Sequence, residues 1–290
     1  MPATLRQRLE GQRFGLVLSA GFFGFYGHTG FLEGLLGAGL EPSAYAGTSA
    51  GGLVAAYAAG GSTVGTLKEL LLKQRRDTFW DPDPLGALLH AMRGGHAPTG
   101  LLRGGRFRTL LERTLPAPTF EACPKPLLLV AANLTSGTHE VFTSGDLPSR
   151  VHATCAYPGL FRAVPLDGKL YWDGGLVDKA PALALAESAA GSGLDALLVH
   201  YLPSRTPREL GGPFAYARGM TAAMGGLRHD HFRLQLGVLK GRGRPDVYVV
   251  VSHLPPVSPR SMERGVDAME QARLSAERAL ARPPEPFEGS

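Results

Sequence analysis

The chain has 290 residues, 44% of them hydrophobic and 19% charged, which excludes an intrinsically disordered protein and allows a full hydrophobic core. Its two cysteines, Cys123 and Cys155, cannot build a disulfide framework, which favours a reducing compartment. The net charge of +5 favours anionic partners, but the sequence contains no recognised nucleic-acid-binding motif. We therefore expect no nucleic-acid partner. An anionic membrane surface remains a candidate partner. The alternative is that the protein is generically basic and its charge indicates no specific partner.

The N-terminal residues predict a buried strand and a glycine loop rather than a signal peptide. Arg6, Arg8 and Arg13 precede an apolar stretch, but Glu10 and the glycines inside that stretch argue against a cleaved signal. No apolar run reaches the ~18 residues that a membrane-spanning helix needs. We therefore expect a cytoplasmic protein that is either free in solution or rests on a membrane.

Strands and helices are predicted to alternate along the chain. Continuous apolar runs predict buried strands, and apolar residues at helical spacing predict helices. The predicted strands are 14–19, the residues leading to 48, 126–133, 140–143, 170–172, 195–202 and 246–252. The predicted helices are 28–39, 50–59, 67–74, 100–115, 151–157, 181–190, a basic amphipathic pair within 214–240, and 260–280. Segments 75–98 and 202–213 are expected to be irregular.

This alternation predicts a three-layer α/β/α sandwich with a largely parallel central sheet. We find no internal repeat and no sign of a second domain in the sequence. We therefore expect a single domain over residues 1–282, followed by a flexible tail at 283–290.

The pattern G-x-S-x-G occurs between a predicted strand and a predicted helix, at Gly47, Ser49 and Gly51. In that context the pattern is typical of a nucleophile elbow, in which a tight turn exposes the serine. The flanking glycines relieve crowding, and the following helix directs its free N–H groups and positive dipole end toward the serine. Ser49 is therefore a candidate nucleophile.

A second glycine-rich turn, 21–27, follows the first predicted strand. Strand, glycine turn and helix in this order can present backbone N–H groups to an anion. The spacing G-x-x-G-x-x-G does not match a dinucleotide-binding fingerprint, and no acidic residue follows at the end of a second strand. An oxyanion cradle is the better interpretation, with a simple tight turn as the alternative.

Ser49 needs a base, and the sequence offers two kinds. His200 and His253 follow apolar strands and could complete a Ser-His-Asp triad, but too few strands precede Ser49 for an α/β-hydrolase. Asp173 lies in a W-D-G-G turn with Gly174 and Gly175, whose small size lets the backbone approach a neighbouring loop. An ionised carboxylate can accept the serine proton, although as a weak base it depends on a strong oxyanion hole.

These segments resemble the patatin-like phospholipases, a family of lipid acyl hydrolases with a Ser–Asp dyad. The strand with its glycine loop, the elbow and the D-G-G turn occur in the family's order, and the resemblance covers residues 14–187. It implies a patatin-like fold, a lipid ester substrate, Ser49 as nucleophile and Asp173 as general base. The nine histidines show no metal-ligand spacing, so we expect no metal requirement, and we expect no cofactor. The loop residues to which the resemblance assigns the oxyanion hole are Gly21, Phe22, Phe23 and Gly24.

The loop departs from the family pattern G-G-G-x-[RK]-G. Gly24 stands at the basic position, and phenylalanines replace two glycines, so that a left-handed backbone at Phe22 would be strained. Lys179 also stands where the family often has Asn. These departures leave open a lipid-binding or scaffold protein with little activity. Acyl transfer to an alcohol other than water would use the same acyl-enzyme.

Overall fold

The computed structural model describes residues 2–84, 99–204, 215–259 and 261–287. The strands are β1 (Phe14–Leu18), β2 (Ala44–Thr48), β3 (Gly100–Leu102), β4 (Leu127–Asn133), β5 (Thr138–Phe142), β6 (Gly159–Phe161), β7 (Val164–Leu166), β8 (Lys169–Asp173), β9 (Ala196–Tyr201) and β10 (Asp246–Val251). The helices are α1 (Leu5–Leu9), α2 (Phe25–Gly37), α3 (Ala50–Ala59), α4 (Val64–Lys73), α5 (Arg76–Phe79), α6 (Gly105–Thr114), α7 (Leu147–Thr154), α8 (Ala182–Glu187), α9 (Ala215–Arg242) and α10 (Gly265–Leu280).

The central sheet has eight strands in the order β10-β9-β1-β2-β4-β8-β7, with β5 also paired to β4. The five strands from β10 to β4 are parallel, whereas β5, β7 and β8 form antiparallel pairs. The sequence prediction of a largely parallel sheet is therefore confirmed. The parallel strands are buried on both faces, which explains why they appear as unbroken apolar runs.

Side chains alternate between two cores on opposite faces of the sheet. In β1, Leu16 and Leu18 join the core on one face, and Val17 joins the core on the other. The first core is covered by α2, α3 and α10, and the second by α8 and α9. Two cores separated by one sheet define the three layers, as predicted.

Two of the helix predictions were wrong. The predicted helix 100–115 begins only at Gly105, because Gly100–Leu102 instead pairs with the distant strand Gly159–Phe161. The predicted helix pair within 214–240 is one helix, α9, which continues through two adjacent glycines. In the segment predicted as a flexible tail, the Phe287 ring packs on Tyr201 and Phe232.

Parts of two irregular segments, 85–98 and 205–214, lie outside the described residues. Within the described ranges, no helix combines the length and the apolar character needed to cross a bilayer. The candidate site lies where the carboxyl ends of β1 and β2 meet the end of β8. Gly174 packs closely against Val130 and Thr48 there. A Cβ at Gly174 would overlap the Val130 carbonyl and lie 2.9 Å from Thr48 Cγ2.

Candidate active site

Ser49 occupies the turn between β2 and α3. Its backbone angles, φ 57° and ψ −125°, lie in a region that residues other than glycine rarely adopt. The side chain is half-buried, and Oγ donates a hydrogen bond of 2.6 Å to Asp173 Oδ2. The structure therefore brings together two residues that are 124 positions apart in the sequence.

The glycines of the G-x-S-x-G pattern are required by close packing. A Cβ at Gly47 would lie 2.6 Å from the main-chain carbonyl oxygen of Gly51. A Cβ at Gly51 would overlap the Leu18 carbonyl and lie 2.6 Å from the Ser19 carbonyl oxygen. The first glycine thus permits the sharp turn, and the second lets α3 press against the end of β1.

The end of α7 contacts both backbone polar groups of Ser49. Thr154 Oγ1 accepts a hydrogen bond from the Ser49 N–H at 3.0 Å and donates to the Val130 carbonyl at 2.5 Å. The Cys155 thiol donates to the Ser49 carbonyl at 3.3 Å. The unusual backbone of Ser49 is thereby held from outside its own turn.

Asp173 is the last residue of β8 and is 3% exposed. Its Oδ1 accepts a 2.7 Å hydrogen bond from the Gly175 N–H, which leaves Oδ2 for Ser49. Burial raises the pKa of Asp173 to about 6, while the hydrogen bonds from Ser49 and Gly175 and the positive charge of Arg228 act in the opposite direction. A carboxylate with this pKa is a stronger base than an exposed aspartate and is still ionised at neutral pH.

The glycine loop begins next to the Asp173 turn. The Ala20 N–H donates to the Lys179 carbonyl at 2.7 Å, and a Cβ at Gly175 would lie 2.6 Å from Ala20 Cβ. Left-handed backbone occurs at Phe23, with φ 55°, and not at Phe22, where the sequence analysis anticipated strain. The loop is thus positioned by direct contact with the turn that carries Asp173.

The N–H groups of the loop are not equivalent. The Gly24 N–H donates to the Gly21 carbonyl at 2.8 Å, so it is already occupied within the loop. Among the described residues, the N–H groups of Gly21, Phe22 and Phe23 have no hydrogen-bond acceptor. The predicted role of Gly24 as a donor therefore does not fit, whereas the three preceding N–H groups are available.

Among the described residues, neither of the histidines considered as bases is hydrogen-bonded to Ser49. His200 is fully buried, where its Nδ1 lies 2.9 Å from His28 Nδ1 and its Nε2 lies 3.0 Å from Ser252 Oγ. His253 is exposed. In the part of the chain that the structure describes, no cluster of three His, Cys, Asp or Glu side chains is arranged to hold a metal ion.

Sequence reasoning missed Thr154 and Arg228. Nothing local marks Thr154, because its contact with Ser49 spans 105 positions. Arg228 lies on α9, 53 positions after Gly175, and its Nη1 donates to the Gly175 carbonyl at 2.9 Å. Only the lack of a basic residue in the glycine loop could have prompted a search for a cation elsewhere.

Comparison with known proteins gives a family and a fold. The chain matches the Patatin-like phospholipase family over residues 16–186, more than half of its length. It is 27% identical over 192 residues to an uncharacterized NTE family protein of Mycobacterium tuberculosis, covering 64% of this chain and 50% of that protein. It is 26% identical over 182 residues to the neuropathy target esterase of Drosophila melanogaster, covering 62% of this chain and 12% of that protein.

The fold resembles the crystal structure of VipD from Legionella pneumophila, with a TM-score of 0.50 and 14% identity over 97% of this chain and 70% of VipD. The curated relatives are longer proteins, and this chain spans half of their length or less.

Proposed function

Because the chain belongs to the patatin-like phospholipase family, we propose that it is a serine lipid acyl hydrolase acting through Ser49 and Asp173. The observation that carries this proposal is the 2.6 Å hydrogen bond between Ser49 Oγ and Asp173 Oδ2. The proposed substrates are fatty acyl esters, namely phospholipids, lysophospholipids or acylglycerols.

The proposed reaction has two steps, acylation and deacylation, and each passes through a tetrahedral intermediate at the carbonyl carbon. Ser49 Oγ bonds to the ester carbonyl carbon while its proton moves to Asp173 Oδ2, and the departing alcohol takes that proton. Water then attacks the carbonyl carbon of the acyl-enzyme and gives a proton to Asp173. The bond between that carbon and Ser49 Oγ breaks, Oγ takes the proton from Asp173, and the fatty acid is released. No cofactor or metal ion enters this scheme.

The proposed oxyanion hole consists of the N–H groups of Gly21, Phe22 and Phe23. Backbone donors do not depend on side-chain identity, so the phenylalanines do not prevent the hole from forming. One such donor is typically worth about 3 kcal/mol in the transition state. Gly24 is left out of this hole because its N–H is bonded to Gly21.

The aromatic side chains of the glycine loop have different roles in this proposal. Tyr26 is 1% exposed and donates from its hydroxyl to the Leu71 carbonyl, so it belongs to the core. Phe23 and Phe25 pack against the same core. Phe22 is 57% exposed, and its ring centroid lies 5.9 Å from that of Tyr157. We assign the acyl-chain wall to this last pair.

We further propose that α9 contacts an anionic lipid bilayer through its outer face. Leu227 and Leu234 are 71% and 69% exposed, and with Met220 and Val238 they form one stripe at helical spacing. Arg233 and Lys240 are exposed on the same helix. Exposed apolar residues accompanied by cations, in a chain of net charge +5, fit an anionic lipid surface.

Vesicle sedimentation tests this contact. We expect binding to vesicles of phosphatidylcholine with phosphatidylglycerol, and loss of that binding when Leu227 and Leu234 are both replaced by serine. Leu274→Ser, at an exposed leucine of α10, serves as the control. Equal sedimentation of the double variant and the wild-type protein would refute the contact, and so would sedimentation with pure phosphatidylcholine vesicles that equals that with the mixed vesicles.

The hydrolase proposal is tested with a soluble p-nitrophenyl ester and a phospholipid. We expect Ser49→Ala and Asp173→Asn each to lower kcat by about 10³-fold or more. Asp178→Asn is the matched control, because Asp178 is a buried carboxylate that bonds to Gln235 instead of Ser49. Wild-type turnover that survives in Ser49→Ala would refute the mechanism.

A fluorophosphonate probe separates the hydrolase from a lipid-binding scaffold of the same fold. Covalent labelling of the wild-type protein, absent in Ser49→Ala, supports the enzyme. Tight lipid binding without labelling favours the scaffold, for which the changed glycine loop is the motivating observation.

A further inference from the structure

Arg228 connects α9 to the turn that carries Asp173. Its Nη1 donates to the Gly175 carbonyl at 2.9 Å, and its Nε donates to the Met224 carbonyl, one turn back on its own helix, at 3.0 Å. The second bond fixes the guanidinium in the direction of the first. Gly175 is therefore held on both sides, because its N–H donates to Asp173 Oδ1 while its carbonyl accepts from Arg228.

The chain offers no basic side chain at the expected place in the glycine loop, where Gly24 stands. Arg228 also lies outside residues 16–186, the stretch that matches the family. Its side chain is half-buried, so its charge is less screened by solvent than that of an exposed arginine. Arg228 therefore places a cation on the Asp173 turn from a part of the chain outside the stretch that matches the family.

Three titratable side chains, those of Lys179, Tyr201 and Cys155, interact electrostatically with Arg228 or Asp173. Arg228 opposes the effect of burial on the pKa of Asp173, and it helps burial to lower the pKa of Lys179 to about 7. Burial raises the pKa of Tyr201 to about 12 and that of the Cys155 thiol well above its usual value. Near neutral pH, only Asp173 and Lys179 of this group change protonation.

Lys179 is the other cation near this turn, but it points elsewhere. Its buried Nζ donates to Ser204 Oγ at 2.8 Å and lies 4.5 Å from the centre of the Tyr201 ring. Arg228, in contrast, bonds directly to the residue that also bonds to Asp173. Of the two cations, Arg228 is thus the one built into the Asp173 turn.

We propose that Arg228 is a positioning residue of the dyad, which holds the Asp173 turn through Gly175 and favours the ionised form of the base. This inference rests on the proposed function of Ser49 and Asp173. Arg228 makes two contributions: its hydrogen bond to Gly175 fixes the geometry of the turn, and its charge stabilises the Asp173 carboxylate.

The test is the pH profile of kcat and kcat/KM with a soluble p-nitrophenyl ester, which keeps membrane binding out of the measurement. In Arg228→Gln, and in Arg228→Met, which keeps the apolar stem, we expect the acidic limb to move up by about 0.5–1 pH unit. This shift alone should lower kcat at pH 6 by about two- to fivefold. We expect little change in KM, because the affected group is the base and not a substrate contact.

Arg228→Lys separates charge from geometry and is the most conservative of the variants. We expect its acidic limb within about 0.3 pH unit of the wild-type limb, but a kcat several-fold lower, because one ammonium nitrogen cannot replace both Nε and Nη1 in their main-chain bonds. Arg278→Gln, on α10, is the matched control, because its exposed side chain also donates from Nε to the carbonyl four residues back, that of Leu274, and the variant should change neither quantity. Thermal unfolding of each variant confirms that the folded protein is being compared.

The outcomes distinguish this inference from the proposed function. If Ser49→Ala abolishes turnover while the limb of the Arg228 variants stays in place, Arg228 has no role at the base and the hydrolase proposal stands. A wild-type kcat in Arg228→Lys likewise overturns the positioning role, even if the neutral variants fail to fold. Turnover that persists in Ser49→Ala refutes the hydrolase proposal itself.

Discussion

The elbow and the glycine loop both place a residue other than glycine in the left-handed region, but they hold it differently. Ser49, with φ 57°, has its N–H and carbonyl bonded by Thr154 and Cys155. Phe23, with φ 55°, is surrounded mainly by rings, with centroids 5.0 Å away for Phe22 and 5.2 Å away for Phe25. The nucleophile is thus fixed by specific hydrogen bonds, and the loop by side chains that can rearrange.

The main chain around the two residues reinforces this difference. Carbonyl groups of Leu18 and Ser19 press on Gly51, and backbone atoms cannot move aside without disturbing β1. In the loop, a Cβ at Gly24 would lie 2.6 Å from the end of the Leu202 side chain and 3.0 Å from the Gly21 carbonyl oxygen. We therefore expect substitutions at the elbow to cost far more than substitutions in the loop.

Gly51→Ala should show the largest effect. Its Cβ would overlap the Leu18 carbonyl, so α3 must shift away from β1, and we expect a loss of about 4 kcal/mol or more in the free energy of unfolding. Gly226→Ala, in α9, is the control, because its Cβ meets nothing within 4 Å and alanine favours a helix. Urea unfolding measures both, and a Gly51→Ala protein as stable as the wild type would show that the elbow is as deformable as the loop.

Asp173→Asn should stabilise the protein while inactivating it. Burial raises the pKa of Asp173 from 3.8 to about 6, so the cost of ionising this buried carboxyl builds up between these two pH values and is complete above pH 6. Removing the charge should add about 2 kcal/mol at pH 7.5. The folded carboxyl binds its proton more tightly than the unfolded one, so the advantage of Asn should shrink as the pH falls from 6 to 4. Denaturant unfolding at pH 4 and pH 7.5 tests this, and an equal advantage at both pH values would contradict it.

Thr154→Val removes the external support of Ser49 with little change in shape. The Ser49 N–H and the Val130 carbonyl both lose a partner, and we expect a cost of about 1–2 kcal/mol and a lower kcat with KM unchanged. Thr29→Val is the control, because the Thr29 hydroxyl donates to the Phe25 carbonyl, within its own helix, α2. If both variants keep wild-type kcat, the strained elbow does not need Thr154.

The sequence predicted the sheet well because buried parallel strands have a local signature. Phe14–Leu18 and Leu127–Asn133 were predicted to within one residue, since nothing but apolar side chains fits between two covered faces. Gly47 and Gly51 were also identified, because the tight turn imposes a fixed spacing. The pairing of Gly100–Leu102 with Gly159–Phe161 was missed, because a three-residue strand has no pattern of its own.

The remainder of the site could not be predicted for the same reason. The contacts of Thr154 with Ser49 and of Arg228 with Gly175 join positions far apart, and neither residue belongs to a local pattern. The position of strain in the loop was also out of reach. The family pattern shows that phenylalanines stand at two glycine positions, but only the backbone shows that the left-handed residue is Phe23 and not Phe22.

Phe23→Gly should show the smallest effect. Glycine relieves a left-handed strain of about 1 kcal/mol. It also gives up the ring contacts with Phe22 and Phe25 and increases the entropy of the unfolded chain, so we expect a net change below about 1 kcal/mol. Phe23→Leu separates these terms, because leucine loses the ring yet must still adopt φ 55°. It should be less stable than Phe23→Gly by about 1 kcal/mol in urea unfolding. A leucine variant as stable as the glycine variant would mean that the loop relaxes to another backbone, and that the position of its N–H groups depends on the rings rather than on the turn.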